Sequence, residues 1–265
     1  MRLKTSALRL QVESSLVTRV ASPFQFRERL IVETVPTGVP SIDRLAGGFP
    51  RGSLTEIYGP PCSGRTSLLV SALALRTAAS EVCALVDARD AFDPHSAEAA
   101  GVKLEQLLWV RCRNVDQALR ATDLLIQGGG FGLIALDLGD APPHMVRYVP
   151  MPVWFRFRRA VEHTPTIFLV LEQESNVKTC ASLILELHTQ KTRWSQVAGS
   201  TDNISRRHSP GCLLDGWRIH ADIIRSHLQQ EDLNDAHFEA AITRDYPVES
   251  QPTAPCSARR RCRQR

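Results

Sequence analysis

The chain has 265 residues, 43% hydrophobic and 23% charged, with a formal net charge of +4. That size and balance fit one sizeable α/β domain with appendages, and they exclude a fibrous or largely disordered chain. Five terminal arginines, Arg259, Arg260, Arg261, Arg263 and Arg265, supply more than the whole positive excess, so the body is not a generally basic nucleic-acid-binding surface. The seven cysteines, Cys62, Cys83, Cys112, Cys180, Cys212, Cys256 and Cys262, are dispersed and lack any C-x-x-C pair. Their odd number and spacing argue against a zinc cage or a disulfide framework. No apolar run approaches membrane-spanning length and the start of the chain is polar, so no membrane association is expected and the expected location is cytoplasmic.

In chain order, residues 1–34 form a first unit. Leu8, Val12, Leu16 and Val20 recur at helical spacing, and a connector follows. Next comes Thr37-Gly38-Val39-Pro40-Ser41-Ile42-Asp43-Arg44-Leu45-Ala46-Gly47-Gly48-Phe49-Pro50-Arg51-Gly52. Here Ile42 and Leu45 suit a short helix packed on a sheet, and the glycine pair turns the chain into a strand. The strand Leu54–Tyr58 runs directly into Gly59-Pro60-Pro61-Cys62-Ser63-Gly64-Arg65-Thr66, and Ser67 to Ala79 reads as the helix beyond it. Strand, glycine-hinged turn and helix N-terminus are what a phosphate-binding loop of form G-x-x-x-x-G-K-[ST] requires, with Arg65 standing where lysine belongs.

Val82–Asp87 is the next strand and opens into Asp87-Ala88-Arg89-Asp90-Ala91-Phe92-Asp93-Pro94. A short helix over Ala97–Ala100, a buried strand over Leu107–Val110 and a covering helix over Val115–Gln127 follow, the last stopping at Gly128-Gly129-Gly130. Phe131–Asp137 is an apolar strand ending in an acid, Pro150–His163 a helix, and Thr166–Leu171 a strand ending in Glu172-Gln173. Ser182–His188 and Trp217–Ile224 are the last expected strands, with Thr189–Pro210 a long loop between them. Alternation of strands with helices predicts a mostly parallel, twisted sheet with helices on both faces. From Gln229 no apolar periodicity is evident, and residues 229–265 are expected to be a disordered basic tail.

The entry segment of residues 35–52, the phosphate loop, the Asp87–Pro94 segment and the acid-ended strand together resemble the RecA-like recombinase superfamily of P-loop NTPases. The resemblance implies a nucleotide-binding core over residues 35–228 that binds ATP and Mg²⁺. It implies that Gly59, Pro60, Pro61, Cys62, Ser63, Gly64, Arg65, Thr66 and Ser67 hold the phosphates, that Asp93 lies beside the adenine, and that Thr66 and Asp137 hold the Mg²⁺. Gln173 matches the glutamine that senses the γ-phosphate. It also implies RecA-like self-association, with the helix of residues 1–34 docking on a neighbouring subunit or folding back on its own domain.

Three departures shape the functional expectation. Arg65 is longer and planar, so it cannot reproduce the ammonium's position. Arg89 stands where these ATPases carry the water-activating glutamate, and a guanidinium cannot act as a base, so no residue is assigned as catalytic. Asp90 is the alternative base. Ser96 replaces the aromatic residue that stacks on the base. The segment Glu174–Ala181 after Gln173 is short and begins acidic, a poor contact for backbone phosphates. In Trp154-Phe155-Arg156-Phe157-Arg158-Arg159, helical spacing turns Trp154, Phe157 and Val161 inward and leaves Phe155, Arg156 and Arg159 outward. Arg156 and Arg159 are then either a solvated basic face or a contact for DNA or a partner.

Taken together, the short Glu174–Ala181 segment, Arg65 and the lost glutamate look most like the RecA-like accessory proteins of bacterial mutagenesis cassettes (ImuA type), which act in the SOS response and translesion synthesis beside a Y-family polymerase-like partner. The expected function is therefore an ATP-binding DNA-repair accessory factor with weak or absent ATPase and no strand exchange of its own. An active single-stranded-DNA-dependent ATPase and a nucleotide-free interaction scaffold are the alternatives.

Overall fold

A computed structural model describes residues 33–194, 214–226 and 235–241. The helix expected before residue 34, most of the loop expected after residue 189 and the arginine-rich terminus lie outside the described residues. The chain runs through β1 (Thr34–Val35), α1 (Pro40–Ala46), β2 (Phe49–Pro50), β3 (Ser53–Tyr58) and α2 (Arg65–Ala78). It continues through β4 (Cys83–Asp87), α3 (Pro94–Ala99), β5 (Leu107–Arg111), α4 (Val115–Gly128) and β6 (Leu133–Asp137). The last elements are α5 (Pro143–Arg147), α6 (Met151–Val161), β7 (Ile167–Glu172), β8 (Leu183–Trp194), β9 (Leu214–Ser226) and β10 (Asp235–Ala241).

Eight strands form one sheet in the order β10-β9-β8-β3-β7-β6-β4-β5. The run from β8 to β5 is parallel, while β9 and β10 join antiparallel at one edge. This is the mixed α/β, mostly parallel architecture expected from the alternating pattern. The central strands β4, β6 and β7 are buried on both faces, which is why they read as continuous apolar runs. On one face α1 and α2 bury Ile42, Leu45, Leu68, Leu69 and Leu73. On the other, α4 and α6 bury Leu119, Ile126, Trp154, Phe157 and Val161. Phe157 lies edge-on between Trp154 and Phe168, with centroids 6.1 and 5.8 Å away.

Local chemistry explains the joints. Gly47 caps α1 in the left-handed region, and Gly48 at φ +95° brings a would-be Cβ within 2.4 Å of the Val35 carbonyl, so this turn accepts little else. Asn114 caps α4 by accepting from the Gln117 N–H, and Gly129 ends it.

The structure differs from the sequence expectation in several places, among them the start of α3 at Pro94 and the additional helix α5. Helix α2 begins at Arg65, two residues earlier than expected, so the arginine is its first residue. Strand β8 continues to Trp194, turning the first part of the expected loop into half of a long hairpin with β9. Strand β10 falls inside the expected tail. Its only large apolar residue is Phe238, so alternation was too faint to register before its pairing with β9 supplied the missing context. Among the described residues no helix is long and apolar enough to cross a membrane.

Candidate functional site

Strands β3, β6 and β7 end side by side, with Tyr58 opposite Glu172 and Asp137 opposite Leu171. Loops leaving these carboxyl ends are where open α/β sheets place ligands. The loop after β3 carries Cys62 at φ +62° and Gly64 at φ +91°, then enters α2. A Cβ on Gly59 would meet the Leu187 carbonyl at 2.1 Å, and one on Gly64 would meet Ile219 Cδ1 at 2.1 Å. The β8–β9 hairpin therefore packs against the loop: the Leu187 backbone leaves room only for glycine at 59, and the left-handed φ of +91° favours glycine at 64. The Thr189 hydroxyl adds to this contact by donating to the Cys62 carbonyl. Inside the loop, Ser63 Oγ is buried with no hydrogen-bond partner among the described residues. An orphaned hydroxyl there suits a polar ligand atom.

Arg65 turns away from its own loop. Its Nη1 donates to the Glu172 carbonyl at 2.9 Å and its Nη2 lies 3.5 Å from the Gly139 carbonyl, and the residue is only 8% exposed. Burial pulls its pKa below the ordinary guanidinium value, opposed by Asp137 and Asp140. Gln173 Nε2 donates to the same Gly139 carbonyl at 2.8 Å. One carbonyl thus joins the start of α2, the loop after β6 and the end of β7.

Asp137 accepts from the Gly139 N–H at 2.8 Å, and burial pushes its carboxyl up to about 6. A bound cation would favour its ionised form, so the residue suits a metal more than it suits an empty loop. Thr66 and Ser67 are exposed and line a cavity of about 1130 Å³ together with Asp93, Ser96 and residues Phe238–Ala241 of β10. Asp93 is occupied as the cap of α3: it accepts from the His95 and Ser96 N–H groups, with the Ser96 hydroxyl on the same carboxylate. The Ser96 hydroxyl, foremost, holds the carboxyl below its usual range.

Arg89 is exposed. Its N–H donates to buried Asp87, which also accepts from Phe92 N–H and so folds the whole turn. Asp90 pairs through both oxygens with Arg111, which holds its carboxyl below the usual range. A carboxylate so engaged is a weaker base than a free one.

Behind the site lie two buried carboxylates. Glu56 accepts from Ser175 Oγ at 3.0 Å and from the N–H groups of Asn176 and Val177 at 2.8 and 3.1 Å. The segment after Gln173 is thereby fastened to β3. Glu172 accepts from Asn176 Nδ2 through one oxygen, while the other has no partner among the described residues. On helix α6, Phe155, Arg156 and Arg159 point outward as the spacing predicts, and Arg156 pairs with Asp123 at 3.1 Å.

Comparison with known proteins places these features. The family model described as the RecA N-terminal domain matches residues 12–142. The protein RecA of Leifsonia xyli subsp. xyli is 41% identical over 112 residues, 42% of this chain and 31% of that protein. RecA of Brucella anthropi is 42% identical over 108 residues, 40% of this chain and 30% of that protein. RecA of Deinococcus radiodurans is 40% identical over 111 residues, 41% of this chain and 31% of that protein. The chain spans less than a third of the length of each of these relatives. The matches support a place for it in the RecA-like recombinase superfamily.

The buried pair makes stability depend on pH. Burial and the neighbouring Glu56 push the Glu172 carboxyl well above the usual carboxylate range. The folded protein therefore holds a proton there that the unfolded chain releases, and stability falls as pH rises from about 4.5 towards the folded pKa. Glu172→Gln should match the wild type in melting at pH 4 and exceed it increasingly as pH rises from about 4.5 towards the folded pKa. The gain should grow by about 1.4 kcal/mol for each pH unit of that window, and calorimetric melting across that range measures it.

Proposed function

We propose that this RecA-like chain is a nucleotide-binding accessory protein of DNA repair, acting in SOS-type translesion mutagenesis beside a Y-family polymerase-like partner. In this reading its ATPase activity is weak or absent and it does not carry out strand exchange. The observation that carries it is the pair of groups in the Asp87–Phe92 turn: exposed Arg89 stands where a base is needed, and the adjacent Asp90 is held by Arg111. Neither group is disposed to take a proton from water. Cytoplasmic location and RecA-like self-association, with weak or indirect DNA contact through Arg156 and Arg159, complete the proposal.

ATP would occupy Gly59–Thr66, with Ser63 Oγ inside the loop and Thr66 and Asp137 holding Mg²⁺. The metal would supply charge neutralisation for the phosphates. What the chain's own residues do is bind and orient: the α2 N-terminus faces the anion, while Arg65 holds the strand ends instead of the phosphates. Gln173, sharing the Gly139 carbonyl with Arg65, is the side chain through which nucleotide occupancy would reach the segment after β7. That segment is fastened by Glu56 and ion-paired through Glu174 to Arg147, so it has little freedom to wrap a DNA strand.

Three outcomes follow from this reading. ATP with Mg²⁺ should raise the melting temperature of the wild type, and Thr66→Ala should abolish the Mg²⁺-dependent part; an unchanged shift in the variant would place the nucleotide elsewhere. Purified protein should fail to pair homologous DNA in a strand-exchange assay without RecA, and robust pairing would refute the accessory role. Phosphate release with single-stranded DNA present should be near background for the wild type and for Arg89→Glu. It should become measurable for Arg89→Glu combined with Arg65→Lys, since general-base assistance is worth roughly 10²- to 10⁴-fold. Vigorous wild-type turnover lost on Asp90→Asn would establish the active-ATPase alternative.

A further inference from the structure

The hairpin edge carries a second constellation, independent of the nucleotide reading. Three histidines stand in one cross-strand row, because His188 of β8 pairs with His220 of β9, and His220 pairs with His237 of β10. Two residues along each strand, on the same face, Glu186, Asp222 and Asp235 form a parallel carboxylate row. The two rows meet at β9 and β10. His220 Nδ1 lies 3.2 Å from His237 Nδ1, with ring centroids 4.7 Å apart. Asp235 Oδ2 is 3.8 Å from His220 Nδ1 and 3.9 Å from His237 Nε2.

Proton bookkeeping decides what these nitrogens can do. Asp222 Oδ1 lies 3.1 Å from His220 Nε2, and a carboxylate can only accept, so Nε2 carries the proton of the neutral ring. His220 Nδ1 then presents a lone pair towards His237. A carboxylate holding the far N–H of an imidazole is the arrangement that orients histidines on metals. The spacing also fits: two nitrogens about 2.0–2.1 Å from one tetrahedral ion stand about 3.3 Å apart.

We infer that His220, His237 and Asp235 form a binding site for a late first-row divalent cation such as Zn²⁺. His220 and His237 bind through Nδ1, Asp235 through a carboxylate oxygen, and a fourth position faces solvent, since the three side chains are 28%, 46% and 54% exposed. Two imidazoles and one carboxylate favour zinc, nickel or copper over Mg²⁺, which prefers oxygen ligands. The ion would tie β10 to β9. The opposite face of β10, with Phe238 and Ala240, walls the cavity that Thr66 and Asp93 line, so the ion would stiffen that wall.

The test uses the full-length protein, stripped with chelator, and titrated calorimetrically with Zn²⁺ alone. Wild type should bind one equivalent saturably and melt at a higher temperature when loaded. Co²⁺ should replace it with the visible absorption of a tetrahedral site. His220→Ala and His237→Ala should each lose this equivalent, Asp222→Asn should weaken it about 10- to 100-fold, and His188→Ala should retain it. Circular dichroism and melting without metal establish that each variant is folded, and His237→Gln, which keeps a polar side chain on β10, replaces His237→Ala if the latter is not. Absence of saturable binding by wild type overturns the inference, as does binding unchanged in the His220 and His237 variants, which would place the ion elsewhere.

Discussion

The contact on which the carboxyl end of the sheet depends is that of Arg65 with the Glu172 carbonyl. A guanidinium that is 8% exposed must find acceptors, because a buried charge without them costs several kcal/mol. The acceptors exist only because β3, β6 and β7 end in register, bringing the Glu172 and Gly139 carbonyls to one place. The requirement runs both ways. The first residue of α2 is fixed by strand ends distant in sequence, and those ends are held together by that residue. A side chain at Gly139 would displace the guanidinium from these carbonyls, since a Cβ there would sit 2.4 Å from Arg65 Nη1.

This contact also separates two jobs that lysine would perform from one position. A compact ammonium at the start of the helix can reach a phosphate, whereas a planar fork is suited to carbonyls set at an angle to one another. In this chain the fork spans the gap between β6 and β7, and the positive charge is spent on protein oxygens. Gln173 donates to the same Gly139 carbonyl. A movement of either side chain would therefore be felt by the other, without a contiguous chain of catalytic groups between them.

Much of this was legible in the sequence, and the exceptions have physical causes. Apolar runs ending at Tyr58, Asp87, Asp137 and Glu172 gave the parallel strands, because strands covered on both faces carry their signal in every residue. The helical split of Trp154 and Phe157 from Phe155 and Arg156 was readable from period alone. The direction of Arg65 was not, since nothing local distinguishes a side chain reaching a phosphate from one reaching a carbonyl 107 positions later. The antiparallel edge was also hidden. His220-Ala221-Asp222 and Asp235-Ala236-His237 do alternate, but their matching polar order becomes meaningful only when β9 and β10 are paired in antiparallel register.

That pairing gives the sheet face beneath α6 an electrostatic asymmetry. Glu172, Tyr58, Glu186, Asp222 and Asp235 follow one another across β7, β3, β8, β9 and β10, one residue per strand. Burial first, and the Glu186 carboxylate next, push the Tyr58 hydroxyl well above its usual pKa, so it stays a neutral donor inside an acidic row. Like charges set side by side across strands repel, and the sheet tolerates the row because histidines lie against Glu186 and Asp222 and the Asn176 side-chain amide lies against Glu172. Nucleic-acid phosphates would meet the same repulsion without those compensations. Along that row the field favours a cation over a phosphate.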